Sequence, residues 1–354
     1  MTSSKGQGQP LHPTASLFEN GNPPRRGGGS CLLSLPIERA AAMDHLRPAM
    51  KCWNDLWDPI TLLSFNPCAT VQTKGGPNMA TDLHSLFRIP GPTQADLDSF
   101  HDDGYIAYPD VFTDHAREAL IEEIEGLEQV RDFVRQLPSH QGEPKAYFIR
   151  PWNDRGPYSD QLIDDPFITS LLRATIGDGY HYCHSALNIA PRGIGPLRYH
   201  QDHHHWKHEN PVNLAERDKY YVQILYYLNG FTLGDRNLKV IPGSHRVAPT
   251  EDATPDRMLA GEFDAEAGRP LKEKRLELPP GSMVYINARI FHGVEPKPAD
   301  SQQPYRIFNI DIFKEAGPPH RHTQEIPAEW IARANPARKK LFLRQAYSEG
   351  CWAS

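Results

Sequence analysis

Cysteine is scarce in this chain. There are five in 354 residues, and three of them (Cys31, Cys52 and Cys68) fall within the first 78. So few, and an odd number, exclude a disulfide-held scaffold and point to a reducing compartment, so a cytoplasmic location is expected. Long apolar runs are also missing. Nowhere does the chain approach the ~18 consecutive apolar residues of a membrane-crossing helix. There is no excess of positive charge: 38 Lys and Arg stand against 44 Asp and Glu, a formal net charge of −6. That balance argues against nucleic acid as the partner. No repeat, heptad or collagen period is visible. The first residues lack a basic-then-apolar leader pattern, and Cys351-Trp352-Ala353-Ser354 is not a peroxisomal address.

Residues 1–78 differ in character from the rest. They hold Pro23-Pro24-Arg25-Arg26-Gly27-Gly28-Gly29 and Lys74-Gly75-Gly76-Pro77, with no sustained period of 2 or 3.6. Within them only 37–56, with Met43, Leu46, Met50 and Trp53, and with Trp57 just after, approaches helical spacing, and Pro48 interrupts it. We read 1–78 as a disordered extension or as sequence upstream of a natural start at Met79. Residues 79–354 are then a single catalytic domain.

Beyond residue 92 the pattern tightens. Thr93 caps a short helix stopped by Gly104, a strand follows at 105–108, and Thr113 caps a long helix reaching Leu137. A third helix opens at Asp165-Pro166 and runs to Gly177. Strands are expected at 180–190, 197–202, 220–228, 237–241, 274–278, 282–287 and 305–313. Polar insertions lie at 230–236 and 247–270, and a terminal helix at 328–346 breaks at Pro336. Helices first and strands after predict an α+β fold with a jelly-roll core and packed N-terminal helices.

The densest chemistry is Tyr199-His200-Gln201-Asp202-His203-His204-His205-Trp206-Lys207-His208-Glu209. Residues i and i+2 of a strand share a face, so His200 and Asp202 point together. One more histidine would complete a two-His, one-carboxylate facial triad, the ligand set of non-haem iron(II) oxygenases. His292 ends the strand that follows Pro280-Gly281 and supplies it. A further strand downstream contains Arg306, and an arginine, if buried, can hold a carboxylate through two parallel hydrogen bonds. Arg289 is the competing arginine.

The order His-X-Asp, then Asn237-Leu238-Lys239-Val240-Ile241-Pro242-Gly243-Ser244-His245, then Pro280-Gly281, His292 and Arg306, resembles the phytanoyl-CoA dioxygenase family. The opening Phe100-His101-Asp102-Asp103-Gly104-Tyr105-Ile106 resembles that family's start, and the likeness covers about residues 92–315. It implies a double-stranded β-helix and dependence on iron(II), 2-oxoglutarate and O2, with ascorbate as an accessory reductant. Iron would be held by His200, Asp202 and His292, and the distal carboxylate of 2-oxoglutarate by Arg306. Asn188, one strand earlier, would touch the cosubstrate. A carboxylate at 202 favours hydroxylation, since halogenases of related build have a small residue there. The stretch from His292 to Arg306 is a few residues longer than the family pattern and reads as a lengthened turn through 297–301.

The expected activity is hydroxylation of an unactivated C–H bond in a small polar metabolite or natural-product intermediate, with release of succinate and CO2. Trp206, Gln223 and Tyr227 are candidate substrate contacts. Alternation puts Gln223, Leu225 and Tyr227 on one face of their strand and Val222, Ile224 and Tyr226 on the other, with the iron-facing side open. His245 reads as a turn-shaping residue, and Arg150, Trp152 and Tyr158 as parts of a solvated loop or of the pocket entrance. Two alternatives remain at this point. One is an acyl-CoA hydroxylase of the same family. The other is a cupin-like metal-binding protein using His203, His205 and Glu209 without 2-oxoglutarate. A small-molecule substrate, no nucleic acid, no membrane, and a monomer or homodimer complete the expectation.

Overall fold

The computed structural model describes residues 85–137, 142–202, 221–314 and 326–342. By contacts the chain divides into two units, Met1–Asn78 and Met79–Ser354. The first, with the helical stretch expected at 37–56, lies outside the described residues. The second begins with helix α1 (Gln94–Asp103) and strand β1 (Tyr105–Tyr108). Thr93 and Asp96 close a reciprocal cap on α1: the Asp96 amide donates to the Thr93 hydroxyl, and the Thr93 amide donates to the Asp96 carboxylate.

Gly104 ends α1 at φ 84°, in the left-handed region. A side chain there would also meet His245, whose Nδ1 lies 2.5 Å from where a Cβ would stand. The His245 ring is buried and its Nε2 lies 3.0 Å from the His101 carbonyl, so it does shape a packed turn. Gly104→Ala therefore combines backbone strain with overpacking, and we expect a loss of at least about 2 kcal/mol in urea unfolding.

The long helix expected from Thr113 is two helices, α2 (Asp114–Gly126) and α3 (Glu128–Gln136). Gly126, the weakest helix former in the run, precedes the break, and Leu127 adopts an extended conformation. A short α4 (Pro157–Gln161) leads to α5 (Pro166–Ile176), capped by Asp165 as the sequence indicates. The loop before α4 is not solvated throughout: Trp152 is fully buried in the core formed with the helices.

Among the described residues ten strands form two antiparallel sheets. The remaining nine are β2 (Tyr147–Ile149), β3 (His181–Pro191), β4 (Leu197–His200), β5 (Tyr221–Tyr227), β6 (Leu238–Val240), β7 (Lys274–Arg275), β8 (Ser282–Asn287), β9 (His292–Val294) and β10 (Tyr305–Lys314). The larger sheet runs β1-β8-β5-β10-β3-β2 and the smaller β4-β9-β6-β7. This is the jelly-roll arrangement, with sequence-distant strands as neighbours. The apparent strand ending at His292 is two strands, because a turn from Asn287 to Ile290 separates β8 from β9.

Alternation sorts the side chains of the larger sheet. Ile224, Tyr226, Tyr285 and Ile307 face the helices and join Leu120, Phe167 and Leu171 in one core. Leu225, Tyr227, Val284 and Ile286 face the smaller sheet and pack with Leu238, Val240 and Ile290. The insertion after β6 is not merely polar loop. It contains helices α6 (Pro255–Leu259) and α7 (Asp264–Ala267), with a small core of their own around Met258 and Leu271. The chain ends, among described residues, in α8 (Ala328–Arg333) and α9 (Pro336–Phe342), with Trp330 and Phe342 against Tyr182. No helix among the described residues is long and apolar enough to cross a membrane.

Asp311 is a buried carboxyl on the helix-facing side of β10, opposite Ser185 and Ile224. Burial pushes its pKa up to about 7, against the pull of the Asn153 amide 3.5 Å away. In the unfolded chain an Asp ionises near 3.9. Between these values the folded state holds a proton that the unfolded state has lost, so stability falls as pH rises from about 4 to about 7. Asp311→Asn removes this contribution. We expect the variant to exceed wild type by on the order of 3 kcal/mol at pH 8, with the gap closing toward pH 4 in denaturant titrations.

Candidate active site

β4 and β9 are antiparallel neighbours, and their register sets His200 directly opposite His292. The two ring centroids are 4.3 Å apart. Each ring is oriented by its own strand. His200 Nδ1 lies 2.9 Å from the Arg198 carbonyl, and His292 Nδ1 lies 3.1 Å from the Ile290 carbonyl. A carbonyl only accepts, so each Nδ1 carries a hydrogen, and Nε2 is the nitrogen each ring turns toward Asp202.

Asp202 lies just past β4, fixed by its amide donating to the Ala288 carbonyl at 3.0 Å. One carboxylate oxygen is 3.8 Å from His200 Nε2 and the other 3.1 Å from His292 Nε2. The Gln223 side-chain amide donates to the second oxygen. Gln201 faces away and donates to the Arg289 carbonyl, which braces the turn before β9. His292 is buried, whereas His200 and Asp202 are each 18% exposed at the side chain.

Burial, reinforced by the neighbouring His292, pushes the His200 pKa down and favours the neutral ring. Burial acts the same way on His292, but the charge of Asp202 and its hydrogen bond outweigh it and the net direction is up. A cation at the centre would replace that proton. The three ligand atoms lie within 4.8 Å of one another. Cis ligands at about 2.1 Å from one ion stand about 3 Å apart. Two neutral imidazoles and one carboxylate, with both Nδ1 positions tied off, fit a single first-row divalent cation with an open face.

The Pro-Gly-Ser-His turn supports this centre from behind. Ser244 Oγ accepts from the Phe291 amide at 2.9 Å, and the Ile241 amide donates to the Phe291 carbonyl at 2.9 Å. The residue preceding His292 is thereby pinned on both sides. Sequence reading singled out His245 in this motif and missed Ser244, whose contact spans 47 positions.

The inner face of β5 links the metal centre to a second polar locus. Gln223 at one end reaches Asp202, and Tyr227 at the other end lies under Arg306. Arg306 is buried, and its guanidinium carbon is 5.2, 5.2 and 5.1 Å from the ring centroids of Tyr227, Phe231 and Phe308. Its Nη1 donates to the Arg236 carbonyl at 2.6 Å, and its Nε has no hydrogen-bond partner among the described residues. It pairs with no carboxylate there. Burial pushes its pKa down to about 10.

Asn188 stands opposite Phe308 in the β3–β10 register, buried, with its Oδ1 likewise unpartnered. A buried guanidinium with no carboxylate partner among the described residues is costly for the protein alone and fits an anionic ligand, while the Asn188 oxygen calls for a hydrogen-bond donor. Arg289, the competing arginine, donates Nη2 to the Val247 carbonyl at 2.9 Å. Trp206, together with His203, His205 and Glu209 of the cupin-like alternative, lies outside the described residues.

The family model for phytanoyl-CoA dioxygenase (PhyH) matches residues 100–301. No curated protein matches the chain. Solved structures similar to it include the non-heme alpha-ketoglutarate-dependent carbocyclase SnoK from nogalamycin biosynthesis, at 16% identity, 74% of this chain, 95% of that chain and a TM-score of 0.48. EctD from S. alaskensis, with 2-oxoglutarate and 5-hydroxyectoine, is 18% identical over 63% of this chain and 76% of its own, with a TM-score of 0.46. HygX from Streptomyces hygroscopicus, with nickel and 2-oxoglutarate bound, is 17% identical over 65% and 90%, with a TM-score of 0.46. The family match spans more than half of the chain and includes His200, Asp202 and His292, so this protein belongs to the phytanoyl-CoA dioxygenase family of iron(II)- and 2-oxoglutarate-dependent oxygenases.

Proposed function

We propose that the enzyme hydroxylates an unactivated C–H bond of a small polar metabolite, with His200, Asp202 and His292 holding iron(II). The observation that carries this reading is the convergence of the three ligand atoms within 4.8 Å, both histidines presenting Nε2. Bound iron(II) with 2-oxoglutarate supplies O2 activation, releasing succinate and CO2 and delivering one oxygen atom to the substrate.

The chain's own residues do the placement. Asp202 contributes the anionic ligand, and Gln223 fixes which oxygen of that carboxylate faces inward. Arg306 takes the distal carboxylate of 2-oxoglutarate in a dry aromatic chamber, where a charge-assisted pair is strong. Asn188 offers a polar contact on the same inner face. A carboxylate at position 202 leaves no extra site for a halide, which supports hydroxylation. A polar substrate is supported by the sequence that follows Asp202 directly, His203-His204-His205-Trp206-Lys207-His208.

Screening decides the substrate class. Iron-loaded enzyme is offered polar small molecules and acyl-CoA thioesters, and succinate release is read beside product mass. We expect stimulation of succinate release by a polar compound, with a product one oxygen atom heavier. Stimulation by acyl-CoA thioesters alone, or a product lighter by two hydrogens, would overturn the reading.

A further inference from the structure

The lengthened turn between β9 and β10 builds a buried cationic cluster beside Arg306. Residues 295–304 are braided with the loops before β4 and before β6. The Lys297 amide donates to the Ile194 carbonyl at 3.0 Å, the Gly193 amide to the Lys297 carbonyl at 2.9 Å, and the Arg236 amide to the Pro296 carbonyl at 3.2 Å. Lys297 is 1% exposed, and its ammonium donates to both oxygens of Asp235, at 2.8 and 3.0 Å. Ser301 Oγ accepts from the same ammonium at 2.9 Å and donates to Asp235 at 2.7 Å. Lys297 and Ser301 therefore consume the one carboxylate of the cluster.

Two buried guanidiniums remain beside it. Arg236 is 6% exposed and Arg306 is 1% exposed, and neither forms an ion pair among the described residues. Arg236 Nη1 donates to the Gly195 and Glu295 carbonyls at 2.8 and 3.3 Å, while its Nε has no partner. The Nε of Arg306 is in the same condition. The Arg236 carbonyl takes the Nη1 of Arg306, so the two residues are joined directly. Arg236 holds this place at φ 62°, a left-handed conformation that a non-glycine residue adopts only when its surroundings enforce it. Burial, together with the charge of Arg306, pushes the Arg236 pKa down to about 9. Two adjacent desolvated cations with unspent donors share the charge of Asp235 alone, already bonded to Lys297 and Ser301, and so make a strong demand for an anion.

We propose that Arg236 is a second guanidinium of the cosubstrate site, so that this chain meets the 5-carboxylate of 2-oxoglutarate with two charges, positioned by the Lys297–Asp235–Ser301 clamp. This rests on the role proposed for Arg306. The consequence is selectivity. A 2-oxo acid with a distal carboxylate gains from both arginines, whereas 2-oxopentanoate, which chelates metal equally but ends in a methyl group, gains from neither.

The test is calorimetric titration of manganese(II)-loaded full-length protein with each acid. For Arg236→Gln we expect about a tenfold weaker Kd for 2-oxoglutarate and an unchanged Kd for 2-oxopentanoate. An unchanged 2-oxoglutarate Kd, or equal weakening of both acids, would overturn the proposal. If Arg236→Gln does not fold, Arg236→Lys carries the test. It keeps a cation without the fork, and we expect about a threefold selective loss for 2-oxoglutarate, with no change overturning the proposal. Arg306→Gln is the reference. Weakening in Arg306→Gln without weakening at 236 rejects only the second arginine, while no weakening at either position rejects the placement of 2-oxoglutarate itself.

Discussion

Asp202→Ala abolishes iron-dependent turnover and weakens iron(II) binding by about 100-fold or more, with little loss of fold. The carboxylate is the only anionic member of the triad, so its removal leaves two neutral imidazoles to hold a divalent cation. The fold survives because the backbone amide of residue 202 donates to the Ala288 carbonyl, a bond that alanine retains. Gln223, which is buried, loses an acceptor, a cost of about 1 kcal/mol that the fold tolerates. Metal content by elemental analysis and turnover by succinate release check the expectation. Full metal retention in the variant would favour a ligand set drawn from His203, His205 and Glu209.

Arg306→Gln separates cosubstrate from metal. The side chain makes no hydrogen bond to the three ligands and is boxed by Tyr227, Phe231 and Phe308. Its loss leaves the triad in place, so iron(II) affinity stays at the wild-type value. The 2-oxoglutarate concentration needed for half-maximal turnover rises about 100-fold, equivalent to about 2.7 kcal/mol for one buried bidentate carboxylate contact. The metal-free variant should unfold at no lower temperature than wild type, because Arg306 has no carboxylate partner whose charge would be stranded. A variant that lost iron and 2-oxoglutarate together would place Arg306 in the metal centre's support instead.

Much of this site is local in the chain, and that part was legible. His200 and Asp202 are two residues apart, Gly104 and Thr93 bracket a helix with the expected cap geometry, and Asp165-Pro166 opens another. The alternation on β5 separated Gln223, Leu225 and Tyr227 from Val222, Ile224 and Tyr226, and the structure turns the first group toward the centre. The opposition of His200 and His292 depends on the pairing of β4 with β9, 92 positions apart, which no local pattern encodes.

The same limit hid the rest. Lys297 reads as a turn lysine, and only the fold brings it to Asp235, 62 positions earlier. Trp152 reads as a loop aromatic because the residues that bury it belong to other elements. The break at Leu127 turns on a single glycine in an otherwise helical run. The helices of the insertion at 255–267 are too short to show a period.

The most direct measurement is the visible charge-transfer absorption formed when iron(II) and 2-oxoglutarate are added to the protein without oxygen, in wild type and in His292→Ala. A band in wild type that is absent from the folded variant is the predicted result, since it requires iron at this triad with the 2-oxo acid bound to it. A band that persists in His292→Ala, or none in folded wild type, would contradict the account.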